Sequence, residues 1–370
     1  MTCKDAVKYI EEWAPKEIAW ERDNVGLQVG TLSRGLKNIM LCLELTEGVI
    51  NNAIKQKCNF IFSHHPLLFN PIKKIDTQKD KISILIEKLI KNNITLYSSH
   101  TNLDFTKDGV SFQLAKKLKL NNINFLVNLK SNQYKVIVFV PEESVEILSQ
   151  KIFNSGAGVI GEYEKCSFRI KGEGTFKGSE LTKPYLGAKS NKEKVNEIRL
   201  EFIVNKWKLN SVISVINKYH PYDEPAFDIY PLSNENLNYG AGAIGNYLKP
   251  LSVKEFLEKL KSNLNLKNFR FVNGSKRIIK KVAVCGGSCS DLIETAINKG
   301  ADAFITADIK YHDFHDTEGK ILLIDAGHYE TEIHVLSEVQ KRLRNFFSSN
   351  KNIKVFKYKG STNPVIFYNN

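Results

Sequence analysis

Short runs of strand-forming apolar residues alternate along the chain with longer stretches in which apolar side chains recur every third or fourth position. In the first third, "NIMLCLEL" (38–45), "NFIFS" (59–63) and "ITLYSSH" (94–100) read as strands. Residues 47–57, "KDKISILIEKLIKN" (79–92) and "DGVSFQLAKKL" (108–118) read as helices, as does the amphipathic N-terminal "MTCKDAVKYIEEWAP". The last third repeats the alternation. It predicts helix 253–264, strand 280–286, and helix 289–300, capped by Ser290 or Asp291 and stopped at Gly300. Strands 301–308 and 320–327 follow, then one long helix from about 329 to 347. Strands separated by helices of this length predict a layered α/β domain.

The middle third has a different rhythm. "YKVIVFVPEESVEILSQKIFNSGAG" (134–158) is strand, turn, helix and glycine stop. "EIRLEFIVNKWKLNSVISVINKY" (197–219) repeats strand, turn and helix, and "AFDIYPL" (226–232) is a closing strand. Two such units predict a compact α+β module of ferredoxin-like type. The expected organisation is one layered α/β metal-binding domain formed by 1–125 and 236–370, interrupted by an α+β insert at 126–235. "GAGVIGEY" (156–163) and "GAGAIGNY" (240–247) agree at six of eight positions, and their glycines suit tight positive-φ turns.

Open α/β sheets place ligands at the C-terminal ends of their strands. Three predicted strand ends carry metal-type residues: His64 and His65 in "IFSHHP", His100 and Asp104 in "LYSSHTNLD", and Asp325, His328 and Glu332 in "LLIDAGHYETE". His328 and Glu332 are four apart, so they share a helix face that continues through Leu336, Val339, Leu343 and Phe346. The pair therefore tops the core-facing side, where it needs a partner or a metal. Each motif has a plainer reading alone: a surface turn for "HHP", an Asx turn for "HTNLD", a capped acidic helix start for "GHYETE". Together they favour a metal site. Five ligands, His64, His65, Asp104, His328 and Glu332, exceed one four-coordinate zinc that keeps a water. They suit two divalent ions about 3.5–4 Å apart, bridged by a carboxylate and a hydroxide. Zinc, iron, manganese and nickel all accept such a donor set. His100, and His312 in "ADIKYHDFHD", are the expected proton donors or substrate contacts. His315 shares that segment, His220 in "HPYDEPAFD" reads as structural, and His334 as an ordinary helix residue.

Other chemistry has less support. "CGGSCS" (285–290), between a strand and a helix, offers an anion cradle at the helix N-terminus. It matches neither a P-loop nor a dinucleotide fingerprint, and no GxSxG elbow occurs. The six cysteines include one close pair, Cys285 and Cys289, without CxxC spacing, and read as free thiols of a reducing compartment. At 370 residues the chain is long enough for two or three domains. No apolar run approaches the ~20 residues of a membrane helix, and no signal-peptide core is seen, so the expectation is a cytoplasmic protein without a membrane partner. The net charge of +13 raises a nucleic-acid partner. The basic residues are spread out, however, and no known nucleic-acid motif accompanies them.

"DNVGLQVG" (23–30), "FSHHPLLF" (62–69), "SSHTNLD" (98–104), "GGSCSDLIETAINKGADAFITADIKYHD" (286–313) and "LIDAGHYETE" (323–332) occur in this order. In them the chain resembles, over nearly its whole length, the Nif-three-like proteins labelled GTP cyclohydrolase I type 2 homologues. The resemblance implies a dinuclear site of His64, His65, Asp104, His328 and Glu332, with Asp104 as the bridge. It implies an insert resembling the PII and CutA proteins, matched here by 156–168, 172–176 and 220–232. It also implies a toroidal homohexamer built from trimers, its sites facing an internal cavity. The function it suggests is metal-dependent hydrolysis, either opening the imidazole ring of GTP or cleaving a phosphoester, with a nucleotide as substrate. The rival class is a non-catalytic metal-binding or regulatory ring, open to nucleic acid. The chain departs from the family at Trp20, which Glu21 and Arg22 separate from Asp23, and at Glu44, where the family favours Asp. Neither departure is expected to touch the five ligands.

Overall fold

The apolar run Cys58–Ser63 is a central strand buried at every position, and its neighbours Asn38–Cys42 and Thr95–Ser98 are nearly as enclosed. Helices cover both of their faces, so apolar residues fill each strand instead of alternating. A computed structural model of the chain describes residues 1–182, 184–350 and 352–368. These three strands are parallel and in register, Cys42 beside Ser63 and Ser63 beside Ser98, so they end level. Gly26–Val29 joins one edge antiparallel and Val355–Lys357 the other edge parallel. Residues of one sheet face, among them Ile39, Leu41, Phe60, Phe62 and Tyr97, pack on helices Cys3–Trp13 and Val335–Phe346. Met40, Cys42, Ile61 and Leu96 face the other way, onto helices Glu47–Lys55 and Lys81–Lys91. Those two helices start where Thr46 and Asp80 accept the Val49 and Ser83 amides.

A second sheet runs in the order Arg270–Val272, Leu322–Asp325, Ala303–Ala307, Ile278–Ser288, Asn236–Ser252, Asn121–Leu129. Its central three strands are parallel, with Ser288 beside Ala307 and Thr306 beside Asp325. Here too the C-terminal ends lie side by side.

The chain divides into two compact units, Met1–Val127 with Tyr239–Asn370, and Asn128–Asn238. The first is the two-sheet unit. The second has one antiparallel sheet, ordered Phe168–Lys177, Lys192–Asn205, Gln133–Pro141, Phe227–Pro231. Val136, Val138 and Val140, with Ile198, Leu200, Phe202 and Val204, alternate onto one face. That face meets Val145, Leu148 and Ile152 of helix Val145–Asn154 and Val212 and Ile216 of helix Leu209–Tyr219. No described helix is long and apolar enough to cross a membrane.

Three sequence expectations need correction. The long helix expected over 329–347 is two helices, His328–Glu332 and Val335–Phe346. The Thr331 hydroxyl donates to the His328 carbonyl and receives the Gly287 amide, and such back-bonding competes with a regular helix. On the second helix Leu336, Val339 and Leu343 are buried, while Phe346 is half-buried and stacks on Tyr9 at 4.3 Å. The glycine echo does not mark turns in both places. In 156–163, Gly156, Gly158 and Gly161 all have positive φ, whereas 240–247 lies inside strand Asn236–Ser252 and of its glycines Gly242 alone, at φ +61, does. There Gly240 serves close approach, since a Cβ would sit 2.3 Å from the Val127 carbonyl oxygen.

Candidate metal centre

The ladder of the first sheet runs two residues past strand Cys58–Ser63. The His64 amide donates to the Cys42 carbonyl and the His65 amide to that of Leu43. Pro66, with no N–H, cannot extend the ladder. Both imidazoles therefore leave from fixed backbone at a sheet end. Strand Thr95–Ser98 delivers His100 and then Asp104, the last residue of the short helix Thr101–Asp104. In the second sheet, Gly327 turns at φ +88 and starts helix His328–Glu332, which places His328 and Glu332 one turn apart.

Glu332, 2% exposed, is the centre of the group. Its Oε1 lies 3.1 Å from His328 Nε2 and 3.8 Å from His64 Nε2, and its Oε2 lies 3.2 Å from His65 Nε2. His64, fully buried, also has Nε2 3.6 Å from Asp104 Oδ1. Donor atoms of His64, His65 and His100 lie within 4.8 Å of one another, as do those of His65, His328 and Glu332. His65 belongs to both sets.

The far sides of the rings decide the tautomers. His64 Nδ1 is 2.9 Å from the Ser99 carbonyl oxygen, and His65 Nδ1 is 3.0 Å from Glu44 Oε1. His100 Nδ1 is 3.0 Å from Asp23 Oδ1, and His328 Nδ1 is 2.6 Å from Asp308 Oδ2. A carbonyl or an ionised carboxylate only accepts, so every Nδ1 carries the proton and each neutral ring leaves Nε2 bare. Metal-binding histidines are held this way.

Three buried polar atoms have no hydrogen-bond partner here: His64 Nε2, Asp104 Oδ1 and Glu332 Oε2. Orphans of this kind are costly, and a cation among them removes the cost. The wall is shaped to match. Gly287, at φ +69, lies where a Cβ would be 2.5 Å from Glu332 Oε1 and 3.4 Å from His328 Nε2. The His/Glu group can hold a metal ion, and its donor chemistry fits one.

Electrostatics agree. Burial opposes charge on His65, yet Glu332 and Glu44 raise its pKa to about 10. Hydrogen bonding to Glu332, with Asp308 behind it, raises that of His328 to about 9. Burial works against an ionised Glu332, but His64, His328 and His65 hold its carboxyl well below the usual range. Burial raises the carboxyl of Asp104. Against burial, hydrogen bonds from His100 and Thr101 hold Asp23 down to about 2. The ionised Glu332 among these imidazoles thus calls for positive charge, which protons supply when no cation does.

Not every candidate converges. His312 is exposed on helix Tyr311–Thr317, its ring 5.5 Å from that of Tyr311, and among the described residues it shares no hydrogen bond, ion pair or ring contact with the cluster. His315, also exposed, has Asp316 at 3.8 Å. Asp325 is tied to Arg270 and to the Ile309 amide, a structural role. "CGGSCS" is no open anion cradle. Its Gly286, Gly287 and Cys289 amides are taken by Ser111, Thr331 and Thr306. His220 is structural, with Nε2 donating to the Phe139 carbonyl and Nδ1 accepting the Tyr222 amide. His334 stands at the helix break, not within a helix, and its Nε2 is buried without a partner.

Sequence reasoning passed over Asp23, Glu44 and Asp308, the acids behind His100, His65 and His328. Glu44 and Asp308 follow parallel strands, so the strand-end rule that picked out the histidines would have found them too. The departure at Glu44 does touch the site, through His65. Near the C-terminus, the Thr362 hydroxyl donates to Glu44 and Asn363 Nδ2 to Glu330.

Comparison with known proteins matches these features to a family. The model of Duf34/NIF3 (NGG1p interacting factor 3) matches residues 1–364. The "GTP cyclohydrolase 1 type 2 homolog" of Bacillus subtilis is 36% identical over 364 residues, covering 98% of this chain and 97% of that protein. Its namesake from Halalkalibacterium halodurans is 38% identical over 325 residues, 87% of each. The crystal structure of a Bacillus cereus protein related to NIF3 superposes with a TM-score of 0.88 at 35% identity, covering 100% of this chain and 99% of that one. With a mixed α/β fold in common and the match running through both halves of the histidine cluster, the chain belongs to the Duf34/NIF3 family.

Proposed function

We propose that this chain is a metal-dependent hydrolase in which His64, His65, Asp104, His328 and Glu332 would hold two divalent ions. The observation that carries the reading is the shared orientation of the histidines, each with Nδ1 turned to an oxygen acceptor behind it. Three Nε2 atoms, each on a ring whose Nδ1 already faces an acceptor, meet at Glu332, and buried oxygens there lack any other partner. The imidazole and carboxylate set suits zinc, iron, manganese or nickel. Such ions, when bound, supply Lewis acidity and hydroxide near neutral pH.

The chain's own residues do the rest. Buried His64 and Glu332 keep bulk water from one side of the centre. His100 has a ring nitrogen near those of His64 and His65, and Asp23 fixes its other nitrogen and stays ionised. That pairing lets His100 take up a proton and hold it during turnover. His312 has no comparable contact, so the proton role is assigned to His100. The excess of basic residues favours an anionic substrate. The relatives' name makes GTP ring opening the first reaction to test, and phosphoester hydrolysis the second.

The inserted unit we read as a ferredoxin-like, PII/CutA-like assembly module. Two strand–helix units on one antiparallel sheet support this, as does the exposed outer edge of strand Phe168–Lys177, where a second copy could pair. A ring-shaped homohexamer is the assembly expected.

The test is elemental analysis with turnover assays on GTP and model phosphoesters, comparing wild type, Asp104→Ala and His328→Ala. Close to two equivalents of metal per chain, with metal and turnover lost in both variants, supports the reading. A folded wild type that takes up no divalent metal overturns it. Full metal occupancy without metal-dependent turnover moves the chain to the non-catalytic class.

A further inference from the structure

The C-terminal end of strand Ile278–Ser288, with Cys289 just after it, carries chemistry that hydrolysis does not use. Cys285 and Cys289 are free thiols whose sulfurs lie 2.7 Å apart. Cys285 is buried and Cys289 half-buried. Gly287, at φ +69, folds the chain back so that Cys289 Sγ also reaches the Gly286 carbonyl oxygen at 3.4 Å. The turn is clamped around the pair. Ser111 accepts the Gly286 amide, Thr331 accepts that of Gly287, and Thr306 bonds both the Cys289 amide and the Gly287 carbonyl. A disulfide bond of about 2.05 Å therefore needs the sulfurs to close by well under an ångström.

We propose that Cys285 and Cys289 form a redox-active dithiol, oxidised to an intrachain disulfide by small hydroperoxides and restored by a dithiol reductant. The Cys289 sulfur, the more accessible, attacks the peroxide. An S–O bond forms, the O–O bond breaks, and the departing oxygen leaves as water or alcohol with the thiol proton. The Cys285 sulfur then attacks the sulfenic sulfur. An S–S bond forms, the S–O bond breaks, and the hydroxyl leaves as water with the second thiol proton. Two thiols are oxidised and one peroxide is reduced. A reducing dithiol returns two electrons and two protons.

Selectivity follows from placement. Cys3, Cys42 and Cys58 are buried free thiols, and Cys166 lies in the other unit. The hydrogen bond to Cys285, then burial, holds the Cys289 thiol well above its usual range, which slows the first attack. The second is intramolecular with its partner in contact, so the sulfenic acid does not accumulate. The pair also brackets Gly286 and Gly287, the backbone that lies against Glu332 and His328. Closing the disulfide stiffens that wall and slows metal release, a consequence that rests on the metal reading above.

Full-length protein treated with hydrogen peroxide, alkylated and digested tests the site. The expected result is a peptide spanning 282–299 that has lost two hydrogens and both alkylation sites, restored by dithiothreitol. In Cys289→Ser, Cys285 stays open to alkylation. Zinc-loaded, oxidised wild type then loses zinc to a chelator several-fold more slowly than its reduced form, and Cys289→Ser shows no such difference. A 282–299 peptide that stays a dithiol while other cysteines react overturns the proposal. So does Cys289 sulfinic acid beside a free Cys285. Equal zinc release from oxidised and reduced wild type removes the link to the metal wall. A chain that never takes up zinc sinks the metal reading, and the peptide masses still decide the thiol chemistry.

Discussion

Glu44 Oε1 stands 3.0 Å from His65 Nδ1, and this carboxylate, one residue beyond the reach of the strand ladder, sets which nitrogen of His65 faces Glu332. A carboxylate behind a ligand histidine typically changes metal affinity by about 10–100-fold when removed. Glu44→Ala is expected to weaken metal binding by a factor in that range, with Glu44→Gln in between, while the fold persists. Isothermal titration of metal into the stripped variants gives the numbers. Unchanged affinity in Glu44→Ala would show that His65 needs no such support.

The C-terminal contact extends this relay. Thr362 donates to the second oxygen of Glu44. Thr362→Val keeps the shape and removes the donor of a half-buried hydrogen bond, so a smaller loss of metal affinity than in Glu44→Ala is expected, with a drop in melting temperature of only a few degrees, about what one hydrogen bond is worth in a chain of this size. A loss as large as that of Glu44→Ala would instead make the C-terminal segment a main determinant of the site.

Gly287→Ala is expected to damage the centre from the wall side. A left-handed backbone costs a non-glycine residue roughly 1–2 kcal/mol, and the new methyl would fall 2.5 Å from Glu332 Oε1. Thermal melts should register the strain in metal-free protein, and metal content should fall as Glu332 is pushed away. Alanine at Gly300, also at positive φ but with open space around its Cβ, should show strain alone.

Asp104 keeps 21% of its side chain exposed, yet its Oδ1 is shut off from solvent without a partner, and burial raises its carboxyl. Asp104→Asn relieves a buried negative charge, so the metal-free variant is expected to be at least as stable as wild type in urea. Metal should stabilise wild type and leave the variant unchanged, because only binding to the folded state shifts the equilibrium. A metal-free Asp104→Asn that is clearly less stable would mean the carboxylate is paired in the empty state.

Acid should weaken the inserted unit through His220. Burial lowers its pKa, and its neutral form is the one that accepts the Tyr222 amide. As pH falls through the ordinary histidine value, about 6.5, the unfolded chain takes up the proton first and the contribution to stability is lost. The stability gap between wild type and His220→Gln is therefore expected to be full above pH 7 and to shrink toward pH 5. A gap constant across that range would remove His220 as the source.

Much of the two-sheet unit was legible because its central strands are buried on both faces and end in abrupt changes of residue type. "NFIFSHHP" announces both the strand and the place where its ladder stops. That His328 and Glu332 share one face was legible from their four-residue spacing, although the apolar stripe read with them belongs to the next helix. What stayed hidden has identifiable causes. Gly26–Val29, Arg270–Val272 and Val355–Lys357 are too short to show a period. Phe168–Lys177 is exposed on nearly every residue, so burial imposes no alternation on it. Glu44 and Asp308 look like ordinary helix-start acids until the parallel register puts them behind histidines. The break after Glu332 depends on Thr331, whose hydroxyl has a partner, Gly287, more than forty residues away.

The donor set is split along the chain: His64, His65 and Asp104 come early, His328 and Glu332 late. On a ribosome the early half emerges with two imidazoles and a carboxylate but without the carboxylate around which the cluster is organised. On the metal reading proposed above, any choice among ions would therefore fall to the finished chain, where the two sheets bring both halves of the cluster together.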